Sequence, residues 1–143
     1  MSDDLYQQEI MTLVKSAIRA GKLSNPDSAA TVDNPLCGDR VTVELKLDGE
    51  VITDLAHKVR GCALCQASAS VIGSHAIGLR LADVQGAVKA LKEMMTGSGA
   101  APVGAWADLG AFLPVRDHKS RQECVRLPFS ALEKALAGAK PKL

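Results

Sequence analysis

Arg40-Val41-Thr42-Val43-Glu44-Leu45-Lys46-Leu47-Asp48-Gly49, continuing through Glu50-Val51-Ile52-Thr53-Asp54-Leu55-Ala56-His57-Lys58-Val59-Arg60 to Gly61-Cys62, decides the fold. Val41, Val43, Leu45 and Leu47 fall on one face and Thr42, Glu44 and Lys46 on the other, the period of two of a half-buried strand. Asp48-Gly49 has the chemistry of a tight hairpin turn. A second strand then runs through Val51, Thr53 and Leu55 to Val59 and delivers the chain to Gly61-Cys62-Ala63-Leu64-Cys65. The CxxC pair therefore falls at a strand-to-helix junction.

Upstream, Leu5, Ile10, Met11, Leu13, Val14, Ala17 and Ile18 recur at helical spacing, which predicts a helix over 4–20 with Gly21 as its C-cap. Residues 22–35 are rich in Ser, Asn, Asp and Pro and read as loop, with a short strand near 30–32. Downstream of Cys65, Ala67, Val71, Ala76 and Leu79 give a small-residue helix weakened by Gly73 and Gly78. Val84, Val88, Leu91, Met94 and Met95 predict another over 81–95, and the glycines of 97–104 break it. A shorter amphipathic segment over 106–113 should stop at Pro114. A last helix over 121–137 should break or start at Pro128, and the tail over 138–143 should fray.

The chain has 143 residues, within the range of one domain, and 47% hydrophobic with 23% charged residues is ordinary for a soluble globular protein. Such a chain buries roughly two thirds of its unfolded surface, so its cysteines are not needed to hold the fold. Aromatic content of 3% predicts an aliphatic, Ala-rich core. Seventeen basic against sixteen acidic residues give a net charge of +1, which argues against nucleic acid as a partner. No apolar run reaches the roughly 20 residues of a membrane span, and the acidic start MSDDLYQQE is unlike a signal peptide. A cytoplasmic location follows as the expectation. Thiols stay reduced there, so the cysteines read as metal ligands or reactive thiols.

Cys37, Cys62, Cys65 and Cys124 are the full set. Thiolates bind zinc and ferrous iron, and a tetrahedral site needs four ligands. Cys37, Cys62 and Cys124 supply three, and the fourth is either Asp39, which a tight turn at Gly38 can aim inward together with Cys37, or Cys65. An oxygen beside three sulfurs makes a more labile site than four thiolates. A helix start at the CxxC favours anions, as do Lys58 and Arg60, so the pair could also accept sulfur as a persulfide. Cys65, three places into a helix, can equally face the core. His57 and His75 read as structural or exposed. His118 stands in a charged loop as a proton donor or transient ligand. The stretch GSGAAPVGA lacks the ending of a phosphate loop and reads as a flexible connection.

NPLCGDRVTVEL, GCALCQASASVIG, ECVRLPFSALEKAL and the opening LYQQEIM together resemble the U-type iron–sulfur cluster assembly scaffolds, the family of IscU, SufU and the NifU N-terminal domain. The likeness spans about residues 4–137, and the long interval from Cys62 to Cys124 is SufU-like. It implies an α+β fold with a three-stranded antiparallel sheet packed with helices and the metal site at one exposed end. It implies Cys37, Asp39, Cys62 and Cys124 as ligands of a transient [2Fe–2S] cluster or of Zn2+. It also implies a cysteine desulfurase as sulfur donor and apo iron–sulfur proteins as recipients. Three departures stand out. TLVKSAIRAGKLSNPD replaces the family's His-Tyr and Asn-Pro-Arg-Asn type segment, Glu123 replaces the histidine of IscU members, and Cys65 is an extra thiol. Pro114-Val115-Arg116 is similar to the chaperone-binding segment of IscU but stands at a different offset from Cys124, so chaperone contact is not carried over.

These residues carry four readings. A scaffold for cluster assembly leads, with little chemistry of its own. The next is a zinc-bound sulfur acceptor in which Cys124 is released to take persulfide sulfur. A structural zinc module is third. A CxxC thiol oxidoreductase fits poorly, because it needs neither Asp39 nor Cys124.

Overall fold

The computed structural model describes residues 8–34, 38–96, 102 and 104–138. Strands β1 (Ser28–Asn34), β2 (Asp39–Asp48) and β3 (Val51–Arg60) form an antiparallel sheet in the order β1-β2-β3. Around it lie helices α1 (Gln8–Ser16), α2 (Ala63–His75) and α3 (Leu81–Met95), a 3-10 segment (Gly104–Asp117) and α4 (Lys119–Gly138). The class is α+β, as expected.

The hairpin is built as its alternation demands. Asp39, Val41, Val43 and Leu45 face inward and are buried, and Gly49 turns the chain with φ of 63°. Val41 lies opposite Val59, Val43 opposite His57 and Leu45 opposite Leu55. A register shift between Lys46 and Leu47 sets Leu47 against Ile52, so Ile52 is buried and Thr53 exposed, the reverse of the expected phase at the start of β3. β1 is longer than the short strand expected near 30–32. Its small residues carry little strand propensity of their own, and pairing with β2 from Ser28↔Leu45 to Asn34↔Asp39 imposes the form.

α1 ends at Ser16, not near residue 20, and Gly21 does not cap it. Residues 18–21 bond to the sheet instead: His57 N–H donates to the Arg19 carbonyl (3.1 Å), Gly21 N–H donates to that of His57 (2.9 Å), and Ala20 bridges His57. Leaving the helix requires left-handed backbone at Ala17 (φ 39°) and Arg19 (φ 65°). The start of the predicted helix over 4–7, most of the break over 97–104 and the tail lie outside the described residues.

α2 is enclosed on nearly every side, by α1, β3, α4 and the 3-10 segment, and its Ala and Ser residues let those neighbours approach closely. Gly73 shows why a weak helix former stands there: a Cβ on it would collide with the Ile18 carbonyl oxygen and lie 2.9 Å from its carbon. α3 runs over the expected residues, and the Asp83 carboxylate accepts from the Arg80 N–H at its start (3.0 Å).

Pro114 does not stop its segment, and Pro128 neither breaks nor starts a helix. The 3-10 segment continues through Pro114 to Asp117, because the fixed φ of proline suits its short turns, and its kink lies at Trp106. α4 is continuous through Pro128, whose buried ring offsets in packing the bond it cannot donate to the Cys124 carbonyl. The core is largely aliphatic, as the composition predicts, with Phe112 and Phe129 fully buried within it. No helix among the described residues is long and apolar enough to cross a membrane.

Candidate metal centre

One end of the sheet gathers three chain segments. Asp39 is the first residue of β2 and stands on the inward face opposite Asn34; both are buried, and the Gly38 N–H donates to the Asn34 carbonyl at the turn (2.8 Å, φ of Gly38 74°). The positive φ of Gly38 turns the chain as Asp39 enters the strand on its inward face, while the same aim expected for Cys37 falls outside the described residues. β3 ends at Arg60, paired with Arg40, and Gly61 passes the chain to Cys62, the N-cap of α2. Cys62 keeps extended backbone (φ −73°, ψ 170°), and its side chain makes no capping bond to the helix amides. Gln66 fixes this corner: its N–H donates to the Cys62 carbonyl (3.1 Å) and its side-chain amide to that of Gly61 (3.0 Å).

Cys124 arrives on α4. Ser68 of α2 donates to the carbonyl of the next residue, Val125, at 2.6 Å, and this buried bond sets the cysteine-bearing part of α4 against α2. Asp39, Cys62 and Cys124 thereby present ligand atoms that all lie within 4.8 Å of one another. Tetrahedral zinc with bonds of about 2.0–2.3 Å sets its ligand atoms roughly 3.5–3.8 Å apart, so closing on an ion takes side-chain shifts on the order of 1 Å. Cys62 is half-buried, while Cys124 and Asp39 are buried at 1% and 4% exposure, so a ligand approaches from the Cys62 side.

Asp39 Oδ2 is buried and has no hydrogen-bond partner among the described residues. An unpaired buried carboxylate oxygen is costly, and a bound cation is one partner that removes the cost. Two soft sulfurs and one hard oxygen suit zinc or ferrous iron better than magnesium or calcium. The donor set therefore fits a transition-metal group.

The other sequence candidates separate. Cys37 lies outside the described residues. Cys65 is fully buried in the hydrophobic core and is not part of the three-residue cluster. His57 is buried with its Nε2–H donating to the Ile18 carbonyl (2.7 Å), and burial pushes its pKa down. His75 binds Asp108 (2.9 Å) and meets the Trp106 ring edge-on. His118 lies just before α4, its N–H on the Val115 carbonyl and its own carbonyl accepting from Arg121 and Gln122. None of the three histidines joins the cluster. Lys58 and Arg60 are exposed on the outward face of β3. Sequence reasoning passed over Ser68 and Gln66, whose roles depend on which carbonyls the fold brings near them.

An α+β fold that brings Asp39, Cys62 and Cys124 together at the end of its sheet has the donor set of a metal- or cluster-binding protein. The chain belongs to the NifU-like N terminal domain family, whose pattern it matches over residues 5–136. It is 32% identical to the zinc-dependent sulfurtransferase SufU of Bacillus subtilis, over 94% of this chain and 91% of that one. It is 26% identical to the iron-sulfur cluster assembly scaffold protein IscU of Thermotoga maritima, over 92% of each. The crystal structure of an N-terminal NifU-like protein from Brucella abortus superposes with a TM-score of 0.90 at 40% identity, covering 95% of this chain and 94% of that one.

Proposed function

We propose that the chain is an iron–sulfur cluster assembly scaffold acting as one domain over residues 1–143. It receives sulfur from a cysteine desulfurase, holds iron or a [2Fe–2S] cluster as cargo on Cys37, Asp39, Cys62 and Cys124, and passes it to apoproteins. The observation that carries this reading is the convergence of Asp39, Cys62 and Cys124, with Asp39 Oδ2 buried and unpartnered among the described residues. A harder oxygen among thiolates binds iron more weakly than a fourth sulfur, which suits cargo that must leave. Half-exposed Cys62 gives a recipient a side of approach, and the buried members keep solvent from the rest. Cys65, enclosed in the core, is left outside the ligand set.

Anaerobic incubation with ferrous iron, sulfide and a thiol reductant tests the reading. The expected result is a [2Fe–2S] absorption and circular dichroism spectrum that Cys62→Ser or Cys124→Ser abolishes. A parent protein that takes up no cluster refutes it.

A second reading rests on the 32% identity to a zinc-dependent sulfurtransferase along nearly the whole chain. Zinc held by the same residues would keep their sulfurs deprotonated at neutral pH. The Cys124 thiolate would attack the outer sulfur of a desulfurase persulfide, forming a new S–S bond as the old one breaks and the donor cysteine departs as thiolate. Cys124 is 1% exposed, so this route requires the start of α4 to open. Zinc at one per chain with stimulation of a desulfurase, and no cluster uptake, would select this reading over the first.

A further inference from the structure

Glycine at 61 is not explained by its backbone, because its φ lies outside the left-handed region that favours glycine. Space explains it. A Cβ at Gly61 would lie 2.6 Å from Asp39 Cγ, 2.8 Å from Oδ1 and 3.0 Å from Cβ, distances at which something must move. The Asp39 backbone has little freedom to do so, which leaves the carboxylate as the part that would move. Asp39 is 4% exposed, it is paired with Asn34, and the next residue is paired with Arg60, so sheet ladders on both sides hold its backbone. The carboxylate therefore lies across the bare face of Gly61, one residue before Cys62. Oδ1 rests over the glycine, and Oδ2 is the oxygen with no partner among the described residues.

We infer that Gly61 is a positioning residue: its missing side chain is the slot that holds the Asp39 carboxylate among the sulfurs and so fixes oxygen as one of the centre's donors. This rests on reading Asp39 as a ligand. Glycine preceding the half-buried cysteine thus couples two ligands, Asp39 on β2 and Cys62 at the start of α2, through a single close contact. A methyl group at 61 pushes the carboxylate out while leaving the cysteine sulfurs in place, which yields a centre of thiolates and solvent.

Cobalt(II), added anaerobically to the metal-free protein as a spectroscopic substitute for zinc, tests this with Gly61→Ala, Asp39→Ala and the double variant. Gly61→Ala should keep the sulfur-to-cobalt charge-transfer intensity of the parent. Its d–d bands should shift to those of Asp39→Ala, and affinity should fall by about 10- to 100-fold, the range for loss of a residue that orients a ligand. The double variant should bind no worse than Asp39→Ala, because only the 3.0 Å contact to Cβ remains. Parental bands in Gly61→Ala, or losses that add in the double variant, overturn the inference while Asp39 stands as a ligand. Parental bands in Asp39→Ala overturn both. If Gly61→Ala alone fails to fold, recovery of folded protein in the double variant supports the contact, and an unfolded double variant overturns it.

Discussion

Substituting Gly73 by alanine sets two effects of opposite sign against each other. Alanine in a helix interior is favoured over glycine by about 1 kcal/mol. The new Cβ, however, meets the backbone of Ile18, with the carbonyl carbon at 2.9 Å and the oxygen closer still, and the Arg19 Cβ at 3.3 Å. Backbone cannot rotate aside as a side chain can, so residues 18–19 must retreat on the order of 1 Å, enough to break a hydrogen bond. Backbone bonds hold residues 18–21: His57 Nε2–H to the Ile18 carbonyl (2.7 Å), the Ile18 N–H to Ser70 Oγ (3.2 Å), His57 N–H to the Arg19 carbonyl (3.1 Å) and Gly21 N–H to that of His57 (2.9 Å), beside the exposed Arg19–Asp54 ion pair (2.8 Å). The His57 loss weighs most, because its Nδ1 already lacks a partner among the described residues and the ring is buried. At about 0.5–1.5 kcal/mol for each bond, and about 1–3 where a buried group is left unpaired, the loss outweighs the propensity gain. The net expectation is a destabilisation of about 2–4 kcal/mol, read as a lower urea midpoint with the slope unchanged. Gly86, in the middle of α3 with nothing within 4 Å of an added Cβ, is the control, and its alanine variant should gain about 1 kcal/mol. If Gly73→Ala is as stable as Gly86→Ala, the close approach of residues 18–19 to α2 is refuted.

Burial holds His57 below its ordinary value of 6.5, so the unfolded chain takes up the proton first as the medium is acidified. Stability from this group is therefore full above pH 6.5 and lost as pH falls from there toward the folded value, with a slope of at most about 1.4 kcal/mol per pH unit. Urea midpoints between pH 7.5 and 5 should fall more steeply for the parent than for His57→Gln, and parallel curves would count against the buried neutral imidazole. Cys65→Ala should leave metal stoichiometry unchanged and lower stability by about 1 kcal/mol, as for a buried group of that size; a drop in bound metal would place its sulfur in the centre. Chelation should leave far-UV circular dichroism intact, since of the buried core from Ile10 to Leu136 only Cys124 belongs to the proposed ligand set and the rest is packed without metal. Unfolding on chelation would favour a structural ion.

What the sequence disclosed tracks how local the cause was. The hairpin was legible because its alternation and Asp48-Gly49 turn act within a few residues, and α3 because its apolar spacing is uninterrupted. β1 was shortened in the reading because Ala29, Ala30 and Asp33 gain their strand form only from the partner β2. The end of α1 was misplaced because His57, distant in sequence, takes the bonds that a longer helix would have used. A stop at Pro114 and a break or start at Pro128 are what a local pattern suggests, because the packing that compensates for a missing donor is not visible in it. At the site, residue types and the family resemblance together pointed to Asp39, Cys62 and Cys124, and these converge. The close contact between Gly61 and Asp39 had no sequence signal beyond a glycine preceding a cysteine.

Cargo transfer tests the central claim most directly. Protein loaded anaerobically with a [2Fe–2S] cluster is mixed with an apo-ferredoxin and an iron chelator that outcompetes free ferrous iron, and the acceptor's circular dichroism is followed in time. The holo-ferredoxin signal is expected to appear despite the chelator, and protein carrying Cys62→Ser or Cys124→Ser should deliver none. A loaded protein that keeps its cluster, or loses it only to the chelator, would contradict the claim that these residues form a centre built to release what it holds.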